Sequence, residues 1–98
     1  MGKISESREY PALTADDCFH LAVTAITQAG FEIFKKRDFA WLVIGKRSTT
    51  QGQVEANITA RPGKAPSVTF SLSSDMLNDQ ELENQTNVLI GIFENLNK

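Results

Sequence analysis

The residues best suited to chemistry are one histidine and one cysteine, which lie close together near the start of the chain. His20 follows Asp16 by four residues, so both lie on one face of a predicted helix and could supply two metal ligands. A zinc site needs three or four ligands, and the sequence offers no identifiable third. Cys18 is two residues from His20 and faces elsewhere, which argues against a catalytic pair. We interpret His20 as exposed or locally hydrogen-bonded, and Cys18 as a small core residue.

Carboxylates could also serve catalysis, because paired acids act as proton donors and acceptors. In this sequence they fall at predicted helix starts or on a solvated helix face: Asp16, Asp17, Asp75, Asp79, Glu81 and Glu83. None lies in an apolar setting that would raise its pKa for such work. We therefore predict that the protein is not an enzyme, and we expect no metal ion and no cofactor.

Five basic residues are candidates for an anion site. Because strand direction alternates in an antiparallel sheet, one end of the predicted sheet should bring together Lys35, Lys36, Arg37, Arg61 and Lys64. The first helix should begin near that end, and a helix start beside cations can bind an anion. Asp16 and Asp17 already occupy this helix start, so we favour solvated charges at hairpin tips over a binding site.

Length and composition restrict the remaining possibilities. The 98 residues suit a single domain over residues 1–98, of which the polar residues 1–7 are predicted to be disordered. The net charge of −2 disfavours nucleic-acid binding, which relies on contacts to phosphates. A single cysteine excludes an internal disulfide. The apolar runs are too short for a membrane span of ~20 residues, and no secretory signal is visible, so the cytoplasm is the default location.

Two segments have helical spacing. Thr14 precedes an apolar stripe that predicts a helix over about residues 15–29, with Gly30 as its stop. Asn78 precedes a second stripe, which predicts a helix over about residues 79–96. Each helix has one apolar face, so each must pack against another element.

Two strand patterns follow the first helix, at residues 31–36 and 39–47. A two-residue loop at Arg37 and Asp38 would place Phe34 opposite Trp41. In that register the inner face would carry Phe31, Ile33, Leu42 and Ile44, and the outer face would carry Glu32, Phe34, Trp41 and Val43.

The later strands, at residues 53–60 and 67–73, alternate strictly between apolar and polar side chains. Residues 8–12 could add a short edge strand. The predicted fold is therefore α+β, in the order β-α-β-β-β-β-α, with a mainly antiparallel sheet of four or five strands and two helices on one face. This order is similar to that of small helix-on-sheet domains such as the helix-grip folds, although no motif supports a family name.

The function predicted from this fold is that of a non-enzymatic binding module. The outer face would gather Phe34, Trp41 and Val43, with Phe39 at the rim, and a solvent face does not normally collect such side chains. The patch could dock a protein partner, a second copy of the chain or a flat ligand. Alternatively, the N-terminal segment or a loop could cover it.

A second hypothesis places a small apolar ligand in a cavity between the sheet and the helices. Phe19, Val23 and Phe70 would then line a pocket rather than fill the core.

Overall fold

The computed structural model describes residues 2–50 and 52–97. It contains a five-stranded sheet, in which all neighbouring strands are antiparallel and the spatial order is β1-β5-β4-β3-β2. In chain order the elements are β1 (Gly2–Glu9), α1 (Ala15–Gln28), β2 (Glu32–Arg37), β3 (Leu42–Thr49), β4 (Gly52–Arg61), β5 (Ser67–Ser74) and α2 (Asp79–Leu96). A short 3-10 helix (Asp38–Ala40) joins β2 to β3. The predicted α+β fold and element order are confirmed.

Both helices begin where the sequence predicts, because each has a polar cap. The Thr14 hydroxyl accepts a hydrogen bond from the Asp17 amide, and the Asp17 carboxylate accepts one from the Thr14 amide. At the second helix, the Asn78 side chain accepts a hydrogen bond from the Glu81 amide. These caps satisfy amides that have no partner within the helix.

The helices cover the same face of the sheet. α1 packs against β2, β3 and β4, whereas α2 packs against β1 and β5. At the centre, the rings of Phe70 and Phe93 meet edge to face with centroids 5.3 Å apart. Phe19 is also buried, and Val23 packs against the same cluster. Phe19 and Phe70 therefore fill the interior at positions where the ligand-cavity hypothesis required a pocket.

The first strand corrects the prediction for the N-terminus. Residues 2–7 are not disordered, because β1 pairs with β5 from Gly2 opposite Ser74 to Glu9 opposite Ser67. Met1, Gln51 and Lys98 lie outside the described residues. The segment lacks a strong apolar alternation, so its strand character comes from its neighbour. The predicted edge strand at 8–12 is accordingly displaced toward the N-terminus.

On the outer face, two hydroxyl pairs join β1 to β5. Ser5 hydrogen-bonds Ser71 at 2.9 Å, and Ser7 hydrogen-bonds Thr69 at 3.0 Å. These contacts add polar cross-strand pairs to the backbone ladder, which explains how so polar a segment holds its place at the edge.

The hairpin between β2 and β3 differs from the predicted one. The connection is longer than two residues, since the 3-10 helix is followed by Trp41 in the left-handed region with φ of 49°. In addition, the register shifts between Ile33 and Lys35, which leaves Phe34 at a β-bulge. Ile33 therefore pairs with Gly45, and Lys35 pairs with Ile44.

This register reverses the predicted faces of β3. Val43 pairs with Ile58 and is fully buried under the helices. Leu42 and Ile44 pair with Thr59 and Asn57, whose side chains point to the opposite, outer face. A slip of one residue is sufficient for this exchange, because side chains alternate with a period of two.

Candidate functional site

Trp41 does not lie on the outer face of the sheet. Its left-handed backbone turns the indole toward α1, where Nε1 donates a hydrogen bond to Oδ1 of Asp16 at 2.8 Å. The ring is partly buried and packs against the core. Together with the buried position of Val43, this contact removes two of the four residues predicted to form the binding surface.

The other two predicted surface residues are exposed. Phe34 is 63% exposed at the bulge of β2, and Phe39 is 79% exposed in the 3-10 helix. Lys46 places its Nζ 3.9 Å from the centroid of the Phe34 ring, which is the geometry of a cation–π contact. The same Nζ lies 4.0 Å from Oε1 of Glu55. Phe34 thus lies beside outward-facing side chains of β3 and β4.

A different apolar cluster replaces the predicted one. Phe34 shares the outer side of the hairpin with Leu42 and Ile44, which are half-buried. The strand register places Lys35 beside Ile44 and Arg37 beside Leu42. We name this surface the outer patch; it consists of Phe34, Leu42 and Ile44 with the bordering cations Lys35, Arg37 and Lys46.

The rest of the outer face is polar. Side chains that point outward from β4, β5 and β1 are amides, hydroxyls and charged groups: Gln53, Glu55, Asn57, Thr59, Arg61, Ser67, Thr69, Ser71, Ser73, Lys3, Ser5, Ser7 and Glu9. The outer patch is therefore a local exception on this face.

An open groove of about 460 Å³ adjoins the outer patch. Its walls include Ile33, Phe34, Lys46, Ser48 and Gln53. A second groove, of about 450 Å³, shares Lys46 and Gln53 with the first and continues toward β5. The outer side of the sheet thus offers a shaped surface next to exposed apolar atoms.

Arg47 points to the opposite side and joins three elements. Its guanidinium lies 4.7 Å from the centroid of the Phe31 ring, donates to the carbonyl of Ala29 at 2.6 Å and donates to Oε1 of Gln85 at 2.5 Å. Its Nε is buried without a partner within the described residues. The contact with the last turn of α1 is favourable, because helix carbonyls at this end carry partial negative charge.

The five cations considered as candidates for an anion site do share one end of the sheet. Arg37 pairs with Leu42, which pairs with Thr59, two residues before Arg61. All five side chains are exposed, and none forms an ion pair within the part of the chain that the structure describes. α1 begins at the same end, but Asp16 binds Trp41 and Asp17 caps the helix. That these charges are solvated rather than part of an anion site therefore stays a prediction.

The remaining candidates for chemistry lie apart. His20 is exposed, whereas Cys18 is fully buried; burial, and to a smaller extent the Asp17 carboxylate, raises the pKa of the Cys18 thiol. Over residues 2–50 and 52–97, no group of three acidic, histidine or cysteine side chains could hold a metal ion. Within the same residues, no helix has the length and apolar character required to cross a membrane.

One residue in the sequence signals the correct face of β3. Gly45 lies under α1 and Phe31: a Cβ at this position would be 2.7 Å from Cγ2 of Ile26 and 2.9 Å from Cβ of Phe31. A glycine within a strand often marks close approach by another element. Placing Gly45 inward would have placed Val43 inward and Leu42 and Ile44 outward.

Comparison with known proteins identifies a shared fold. No protein-family profile matches this chain, and no curated protein sequence matches it. Nine chains of solved structures do match. One is the crystal structure of Ara h 8.0201, which has a TM-score of 0.67 and 10% sequence identity, with 95% of this chain and 93% of that chain covered. At this identity the likeness shows the α+β fold alone.

Proposed function

We propose that this chain is a non-enzymatic protein-interaction module and that the outer patch is its contact surface. The observation that carries the proposal is the exposure of Phe34 on the same face as half-buried Leu42 and Ile44, on a sheet face that is otherwise polar. Contact with a partner would remove this apolar surface from water, which is favourable by roughly 25 cal/mol per Å².

The geometry supports a surface contact better than an internal ligand. Phe19 and Phe70 are buried within the core, so the space between the sheet and the helices is occupied where a ligand was considered. The outer patch, by contrast, is accessible in the structure and adjoins a groove. Aromatic side chains such as that of Phe34 are enriched at the centres of protein interfaces.

The proposal is tested with Phe34→Ser and a matched control, Val88→Ser. Val88 is exposed to the same degree, 62% against 63%, but it lies on α2, away from the outer face. Each variant and the wild type would be immobilised, and the proteins retained from an extract of the source cells would be quantified by mass spectrometry. We expect Phe34→Ser to lose a set of proteins that Val88→Ser retains.

Thermal unfolding of the free variants shows whether the fold is intact, and we expect both to unfold close to the wild type because both side chains are exposed. Equal retention by the two variants would contradict a role for the outer patch.

A further inference from the structure

Charge is divided between the two layers of the molecule. The helices contain acidic residues and no Lys or Arg: Asp16, Asp17, Asp79, Glu81, Glu83 and Glu94. Every described cation therefore lies in a strand or a loop. The chain as a whole has a net charge of −2. Outside the two helices, however, the described residues contain more Lys and Arg than Asp and Glu, so the strands and loops together are positively charged.

Part of this positive charge borders the outer patch. Lys35, Arg37 and Lys46 border its apolar centre, whereas the nearby acids on the same face are Glu32 and Glu55. Lys46 lies near Glu55, but Lys35 and Arg37 have no ion pair within the described residues. A negatively charged group placed here would meet two cations that are not already neutralised.

From this arrangement, and resting on the proposed function, we infer that the partner is an acidic polypeptide segment with an aliphatic or aromatic anchor residue. The anchor would pack against Phe34, Leu42 and Ile44, while its acidic neighbours would lie next to Lys35 and Arg37. Complementary charge mainly accelerates association and selects the partner, whereas the buried anchor supplies most of the affinity.

The outer patch is less suited to nucleic acid. Proteins that bind single strands stack successive bases on several aromatic rings, whereas Phe34 is the aromatic residue of the patch. Glu32 and Glu55 on the same face would repel phosphates.

A second copy of this chain is also a poorer match than an acidic segment. Its acidic surface is the helical layer, so the contact would join the sheet of one molecule to the helices of the next. Such head-to-tail contacts form open chains unless the rotation between copies closes a ring. Val88 is the large apolar side chain that the described part of α2 exposes, which leaves little to fill the outer patch.

The test uses short fluorescein-labelled peptides and the full chain. The first peptide alternates glutamate with leucine, the second alternates lysine with leucine, and the third alternates glutamate with serine. Fluorescence anisotropy should show binding of the first peptide, weaker binding of the third and none of the second. Added salt should weaken the binding, because exposed charges are screened.

Variants then locate the contact. The double substitution Lys35→Glu and Arg37→Glu should weaken binding of the glutamate–leucine peptide by about tenfold or more. The control is Lys64→Glu, another exposed cation that lies outside the outer patch, which should leave the affinity within about twofold. Phe34→Ser should weaken binding of the same peptide while leaving its salt dependence in place.

The outcomes separate this inference from the proposed function. If the lysine–leucine peptide binds as well as the glutamate–leucine peptide, and Phe34→Ser weakens both, the acidic partner is wrong and the contact surface stands. Absence of binding by the glutamate–leucine peptide also overturns the inference. If the peptide binds but Phe34→Ser has no effect, the outer patch itself is wrong. Self-association of the chain alone, measured by sedimentation and abolished by the double substitution, would instead identify a second copy as the partner.

Discussion

The hairpin β4–β5 and the hairpin β2–β3 belong to one sheet, yet the sequence pattern predicts the structure of the first far better than that of the second. β4 pairs with β5 without interruption from Val54 opposite Ser74 to Arg61 opposite Ser67. Its inward side chains are buried and its outward ones are polar. By contrast, β2–β3 contains a bulge, a 3-10 helix and a left-handed tryptophan, and β2 is exposed along its whole length.

The difference shows what determines which way a strand faces. In β4 and β5 one parity is apolar and the other polar, so turning the strand over would expose the core residues and bury polar ones. In β3 both parities are apolar, because Leu42 and Ile44 alternate with Val43. The sequence pattern of β3 therefore does not determine which of its sides faces the helices. Contacts of Gly45 and Trp41 with α1 determine it instead.

The largest effect is expected from shortening a buried side chain in the regular hairpin, β4–β5. Phe70→Ala removes a fully buried ring that packs on Phe93, which should lower the free energy of unfolding by about 3–5 kcal/mol. Phe34→Ala in the irregular hairpin is the control and should cost less than about 1 kcal/mol, because that ring is exposed. Urea unfolding measures both. Similar losses at the two sites would show that Phe34 belongs to the core.

The inward position of Gly45 gives the next largest effect. Gly45→Ala would place a Cβ against Ile26 and Phe31 at distances that real side chains do not tolerate, so we expect a loss of about 1–3 kcal/mol. Gly63→Ala adds the same methyl group where no atom lies within 4 Å, and it should be close to neutral. Thermal denaturation compares the pair. A neutral Gly45→Ala would imply that β3 faces the other way.

A smaller effect is expected from the contact between Trp41 and Asp16. Trp41→Phe keeps an aromatic ring but removes the indole N–H that donates to the Asp16 carboxylate. In a double-mutant cycle with Asp16→Ala, we expect a coupling energy of about 0.5–1.5 kcal/mol. The cycle also subtracts the effect of losing an acid from the first turn of α1. A coupling of zero would mean that the indole does not bind α1 in solution.

The smallest effect at neutral pH concerns Tyr10, which packs beside the regular hairpin on the ring of Phe93. Its hydroxyl donates to Glu94 at 3.1 Å; burial, followed by the charge of Glu94, raises the pKa of Tyr10 well above its ordinary value. Because the folded state holds this proton more tightly, its contribution to stability is complete below about pH 10 and is lost as the pH rises further.

Absorbance of the phenolate measures this shift directly, since Tyr10 is the only tyrosine. Glu94→Gln should move the titration back toward the ordinary value without restoring it fully, because burial is the larger cause. A wild-type titration near pH 10 would contradict the buried, hydrogen-bonded position of the hydroxyl.

The sequence was sufficient for most of the fold. The caps at Thr14 and Asn78 placed both helices within a residue of their observed starts, and strict alternation placed β4 and β5. The first strand was predicted at residues 8–12, whereas β1 spans Gly2–Glu9. Ser5 and Ser7 are polar, so the alternation of apolar and polar side chains that marks a strand is absent there. Their pairing depends on β5, which is more than sixty residues away in the chain.

The candidate site was predictable only in part, for the same reason. The outward position of Phe34 was predicted from the alternation of side chains in the first hairpin, but the bulge there depends on how β2 meets β3. The turn at Asp38–Ala40 was not recognised, so Trp41 was assigned to a strand although its backbone is left-handed. Because this turn was misplaced, Trp41 and Val43 were predicted to lie on the outer face, where the structure places Leu42 and Ile44.

The single thiol of the chain is closed off from solvent, which gives the molecule an internal reporter. Cys18 has no exposed surface, and its raised pKa leaves little thiolate at neutral pH. A maleimide or a disulfide reagent can thus react only after a local or global opening exposes the Cys18 side chain. The rate at which Cys18 is labelled therefore measures how often the protein opens. For the same reason, two folded copies do not form a disulfide through Cys18 in air.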